Sequence, residues 1–223
     1  MDATCPSSLV CLPAVAESEE VVNYLTHGGG LVLSLCAWLQ LFAMTHDGTP
    51  GQQLGAAVYG VTLIVVYLAS TAYHAVRHTG LKTKLRVFDH ASIYLMIAGT
   101  YTPFLLALPG AWRTWGVPAM WLLAAVGIAF KIAFGFRYER LSVTMYLLMG
   151  WIGILALGPL VERISTEGVA WLLTGGLAYT IGTMFYVRPE IKYAHAIWHI
   201  FVLAGSALHY GTIVLYVLPR TYS

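Results

Sequence analysis

Two histidines four residues apart, His195 and His199, stand on one face of any helix that carries them. Their side chains are then roughly 5–6 Å apart, close enough to hold one tetrahedral metal ion. Alone, an H-x-x-x-H pair says little. Here it lies in an apolar stretch, where a neutral imidazole needs a partner and an ionisable group is costly unless it has a task. A third histidine, His74, ends another apolar stretch. Three neutral imidazoles are the ligand set of a catalytic zinc, which keeps a fourth position open for water. Imidazole suits zinc better than magnesium or calcium; copper, iron and nickel share the preference.

Such a site needs a general base. The common protease motif puts Glu directly after the first histidine of H-E-x-x-H, but position 196 is Ala196. Asp89 is the carboxylate expected at the same depth. Its role would be to hold and deprotonate the metal's water, or to orient a ligand histidine. Ser70 stands one helical turn before His74, where its hydroxyl can bond that water or a substrate oxygen, or its own backbone. The other ionisables read more plainly. Lys131 is expected to snorkel to the inner interface. His90, about 100° around the helix from Asp89, is expected to bond a neighbouring helix. His209 is read as a satisfied interior histidine. His27, with Asn23, would support the site without ligating.

The elements that must position these groups follow from composition. The chain has 223 residues, 58% hydrophobic and only 10% charged, with mean hydropathy +0.72. A soluble domain carries roughly 25% charged residues, so a soluble enzyme and a disordered chain are both excluded. A net charge of +2 without a basic run gives no nucleic-acid footprint. Each membrane-spanning helix needs roughly 20 apolar residues. Seven such runs are expected, at 23–45, 52–76, 86–108, 114–134, 141–160, 167–187 and 194–218, forming one all-α bundle over 23–218 behind a short tail at 1–22. Gly28–Gly30 and Gly175–Gly176 would be close helix contacts. Cys5, Cys11 and Cys36 show no metal or disulfide spacing. The tail lacks the basic start of a signal peptide.

Nine of the twelve Lys and Arg fall on one side of this arrangement, led by Arg77, Lys82, Lys84 and Arg86. The positive-inside rule then places the N-terminus in the cytoplasm and the C-terminus outside. Trp112, Trp115, Tyr216 and Tyr222 would form the outer aromatic belt. Rhodopsin-like receptors run the other way, and the seventh helix has no lysine for a retinal Schiff base. In this topology His74, Asp89, His195 and His199 come from three helices to one depth near the cytoplasmic face. Asp89 and His90 are expected in the first turn of the third helix.

The runs STAYH (Ser70–His74), DHASIYLMIAGTYTP (Asp89–Pro103) and HAIWHIFVLAGSALHY (His195–Tyr210), with EEVVNYLTHGGG (Glu19–Gly30), resemble the hemolysin III family. That family is grouped with progestin and adiponectin receptors and alkaline ceramidases. The resemblance spans nearly the whole chain from Glu19. It implies a zinc ion near the cytoplasmic face held by His74, His195 and His199, with Asp89 on its water. It also implies a multi-pass protein of a bacterial inner membrane linked to membrane lipid homeostasis. The expected function is metal-dependent hydrolysis of a lipid amide or ester, with a membrane lipid as substrate or ligand. The alternatives are a hemolysin-type pore or cytolysin, and a non-catalytic sensor whose metal staples helices together.

Overall fold

A computed structural model describes residues 16–219 as helices and short connections, with no strand among the described residues. Cys5, Cys11, Tyr222 and most of the expected tail lie outside them. The α-helices are α1 (Glu17–Thr45), α2 (Pro50–Ala75), α3 (Thr79–Ala107), α4 (Val117–Phe134), α5 (Glu139–Trp151), α6 (Leu157–Tyr186) and α7 (Ala194–Thr212). Five helical stretches among the described residues are long and apolar enough to cross a membrane.

The burial pattern is that of a protein with lipid outside. On α1 the buried positions are Asn23, His27, Gly30, Ser34, Leu41 and Thr45, while Leu25, Val32, Leu33, Leu39 and Phe42 are exposed. The inward face is the more polar one. In hydrocarbon, polar side chains are satisfied between helices and apolar ones face outward.

Local signals set the ends. Thr49 and Gln52 form a reciprocal capping box around Pro50, satisfying main-chain donors at the start of α2. Helix α1 begins at Glu17, earlier than expected, with Glu17, Glu19 and Glu20 in its first turn, where acidic groups complement the helix dipole. Helix α3 also begins early, at Thr79, so Asp89 and His90 sit about three turns in rather than in its first turn.

The stretch Glu139–Tyr186 is 48 residues of almost continuous helix, which would reach roughly 70 Å if straight, far beyond a hydrocarbon core of about 30 Å. It folds back on itself. Ser165 leaves the helix with φ 70 and ψ 165, and its Oγ accepts a hydrogen bond from the Gly168 amide, capping the returning half. Trp151 Nε1 consequently reaches Thr180 Oγ1 at 3.0 Å, and Tyr186 bonds Glu139. The outgoing half tightens to a 3-10 segment at Ile152–Ala156. Tyr101 of α3 accounts for this: its hydroxyl donates to the Gly150 carbonyl at 2.6 Å and accepts from the Gly153 amide at 2.7 Å, entering the helical ladder.

Two of the glycines expected at close contacts are required there. A Cβ on Gly30 would stand 2.7 Å from the Tyr67 ring, and one on Gly175 would stand 2.4 Å from His209.

Candidate metal centre

The histidines at the end of α2 and the start of α7 meet. His74 ends α2, while His195 and His199 open α7, and one ligand atom from each lies within 4.8 Å of the others. Ring centroids are 4.9 Å apart for His74 and His195, 5.1 Å for His74 and His199, and 4.6 Å for His195 and His199. All three histidines expected from the sequence as ligands therefore converge.

What surrounds the rings decides which nitrogens are available. His74 Nδ1 is 2.6 Å from Glu20 Oε2; the carboxylate only accepts, so Nδ1 carries the proton and Nε2 keeps its lone pair. That Nε2 is buried without a partner. His199 Nδ1 is 3.2 Å from the Asn23 carbonyl and 3.1 Å from Thr26 Oγ1. The Thr26 hydroxyl donates to the Val22 and Asn23 carbonyls, so His199 Nδ1 is the donor here too. Two histidines of the cluster thus keep an unprotonated Nε2, each ring fixed through Nδ1 as metal-ligating imidazoles usually are. An orphaned lone pair in an all-imidazole donor set fits a borderline-soft divalent ion such as zinc.

Glu20 corrects the sequence expectation that Asp89 is the sole carboxylate at this depth. It also pairs with Lys82 at 2.8 Å, tying the starts of α1 and α3 to the end of α2. The missed signal is a spacing: Glu20, Asn23 and His27 recur at three and four residues, one helix face.

Asp89 is buried beside the Ser70 hydroxyl. Both line a cavity of about 300 Å³ that also touches His195 and His199 and runs between the helices toward Leu108, Trp112 and Leu160. Beyond this polar end its wall is almost wholly apolar.

The other ionisables separate. His90 Nε2 shares a 2.9 Å hydrogen bond with the Tyr186 hydroxyl on α6, the interhelical bond expected of it. His209 Nε2 donates to the Leu172 carbonyl at 3.1 Å, while its Nδ1 has no partner. Lys131 departs from expectation: it does not snorkel but is fully buried, its Nζ 3.8 Å from the centre of the Phe136 ring and without a hydrogen bond. Arg86 approaches the same ring at 3.6 Å. Helix α4 ends at Gly135, φ 55, and the turn brings Phe136 back against both cations, a cation–π arrangement that replaces the aqueous interface.

Comparison with known proteins agrees with this architecture. The family model described as "Haemolysin-III related" matches residues 15–210. The chain is similar to Hemolysin-3 of Bacillus cereus, 42% identical over 203 residues, covering 90% of this chain and 93% of the relative. Identity is also 42% to the Hemolysin-3 homolog of Bacillus subtilis, over 89% of this chain and 94% of that protein. The human monocyte to macrophage differentiation factor is 29% identical, over 89% of this chain and 84% of its own. A helical membrane bundle with a three-histidine cluster, matched along nearly its whole length, belongs to the haemolysin III-related family.

Proposed function

We propose that the protein is a metal-dependent intramembrane hydrolase of lipid amides or esters, with zinc held by His74, His195 and His199. The supporting observation is that two histidines of the cluster, His195 and His199, line one end of a largely apolar cavity together with Asp89 and Ser70, with His74 beside them. An acyl chain is the class of ligand that fills such a space, with its amide or ester group at the histidines. The chain would cross the membrane seven times, N-terminus inside, placing this polar end at the cytoplasmic leaflet of a bacterial inner membrane.

A zinc ion bound there supplies Lewis-acid polarisation of a carbonyl and an acidified water. The residues do the rest. Glu20 and the Asn23 carbonyl fix the His74 and His199 rings through their Nδ1 protons. Asp89 is the proton carrier: its carboxylate takes a proton from the attacking water, steadied by the Ser70 hydroxyl. Hydroxide adds to the carbonyl carbon, the C–N or C–O bond breaks, and the proton held by Asp89 passes to the departing amine or alkoxide. The products are a fatty acid and an amine or alcohol. The apolar wall excludes bulk water and holds the acyl chain.

The test is to incubate zinc-loaded, detergent-purified protein with long-chain N-acyl amides and acyl esters and follow fatty-acid release by mass spectrometry. Release that Asp89→Asn lowers by about 100-fold or more supports the reading. Absence of release from both lipid classes, with zinc bound, contradicts it and favours a metal that serves as a staple.

A further inference from the structure

His27 is a polar group of this cavity that the hydrolase reading leaves without a role. It lies two helical turns beyond Glu20 on α1 and is only 4% exposed. Its ring stacks nearly parallel on His199, centroids 3.5 Å apart and planes 16° apart, and stands edge-on to Tyr67 at 5.1 Å. Neither ring nitrogen has a hydrogen-bond partner; the His199 main chain comes near, but without hydrogen-bond geometry. The residue lines the same cavity as Ser70, Asp89, His195 and His199.

These facts constrain its role. A neutral imidazole has one N–H to donate and one lone pair to accept with, and leaving such groups unpaired in a buried site is costly. The cost is compensated when something in the cavity supplies the partner. His27 is not in the group whose ligand atoms converge within 4.8 Å, and a ring lying face to face over His199 does not point at an ion in the plane of that ring. The residue lines the space beside the metal centre, where the polar group of a ligand would rest.

Building on the hydrolase reading, we propose that His27 is the cavity's head-group contact, its ring N–H donating to the carbonyl oxygen of an acyl amide or ester whose chain occupies the apolar length. It fixes which atom of the lipid lies at the histidine cluster. Without it the apolar wall would accept an acyl chain in any register, since hydrocarbon contacts carry no directional preference.

The experiment uses zinc-loaded, full-length protein and two probes: a fluorescently tagged palmitoyl amide, and a tagged hexadecane of equal chain length without the carbonyl. Affinities are compared for the native protein, His27→Phe, which keeps the ring stack, and His27→Gln, which restores a donor. The expected result is about a tenfold loss of amide affinity in His27→Phe, at least partial recovery in His27→Gln, and unchanged hexadecane affinity and zinc content in both. The thermal midpoint of lipid-free His27→Phe should equal or exceed that of the native protein, because an unpaired polar group has been removed; a purely structural histidine would lower it. Equal weakening of both probes, unchanged amide affinity, or loss of zinc from His27→Phe each overturns the inference. If the native protein binds neither probe, the lipid-hydrolase reading fails, and this inference with it. If it binds the amide and His27→Phe binds it equally well, only the inference fails.

Discussion

His74 Nδ1 donates to Glu20 Oε2 across 2.6 Å, and the other oxygen of the same carboxylate meets Lys82 Nζ at 2.8 Å. One side chain thus orients an imidazole of the three-histidine cluster while joining α1, α2 and α3. Removing a partner of this kind costs about 10–100-fold in metal affinity. Glu20→Ala is expected to raise the zinc dissociation constant within that range in chelator competition, and Glu20→Gln, which keeps an acceptor, to raise it less. Equal affinity in native protein and Glu20→Ala would remove Glu20 from the site.

Lys131 gives a prediction of the opposite sign. A buried ammonium without a hydrogen bond bears a desolvation cost that its ring contact offsets only in part. Lys131→Met preserves much of the volume and removes the charge, so the thermal midpoint should rise. Lys131→Ala leaves a cavity and should lose about 2–4 kcal/mol. A fall in midpoint for Lys131→Met would mean that the cation itself holds Phe136 in place.

Tyr101 tests the origin of the 3-10 segment. Its hydroxyl serves both the Gly150 carbonyl and the Gly153 amide, groups that lipid cannot satisfy. Tyr101→Phe should destabilise the protein by about 1–3 kcal/mol and speed amide hydrogen exchange around residues 150–156. Exchange unchanged there would show that the segment is 3-10 for reasons of its own.

Much of this was legible in the residues, for identifiable reasons. His195 and His199 declare themselves because four-residue spacing fixes a shared helix face, and an apolar setting makes two imidazoles conspicuous. His74, Asp89 and Ser70 follow from depth, which needs only approximate helix ends. Glu20 escaped because its acidic neighbours Glu17 and Glu19 make it look like part of a solvated tail; only its spacing to Asn23 and His27 marks it. Lys131 escaped because snorkelling depends on which way a turn carries the next residue. Here Gly135 takes a positive φ and folds Phe136 inward. The reversal at Ser165 was legible: it falls in the break expected between 160 and 167, which Glu162, Arg163, Glu167 and Gly168 mark in an otherwise apolar stretch.

Everything proposed for the cavity depends on His74, His195 and His199 forming a metal centre. The most direct measurement is elemental analysis of the detergent-purified full-length protein after zinc loading and desalting, beside a His195→Ala/His199→Ala variant whose helix content and monodispersity match the native protein. About one zinc per chain is expected in the native protein and none in the variant. Equal zinc in both, or none in the native protein after loading, would contradict it.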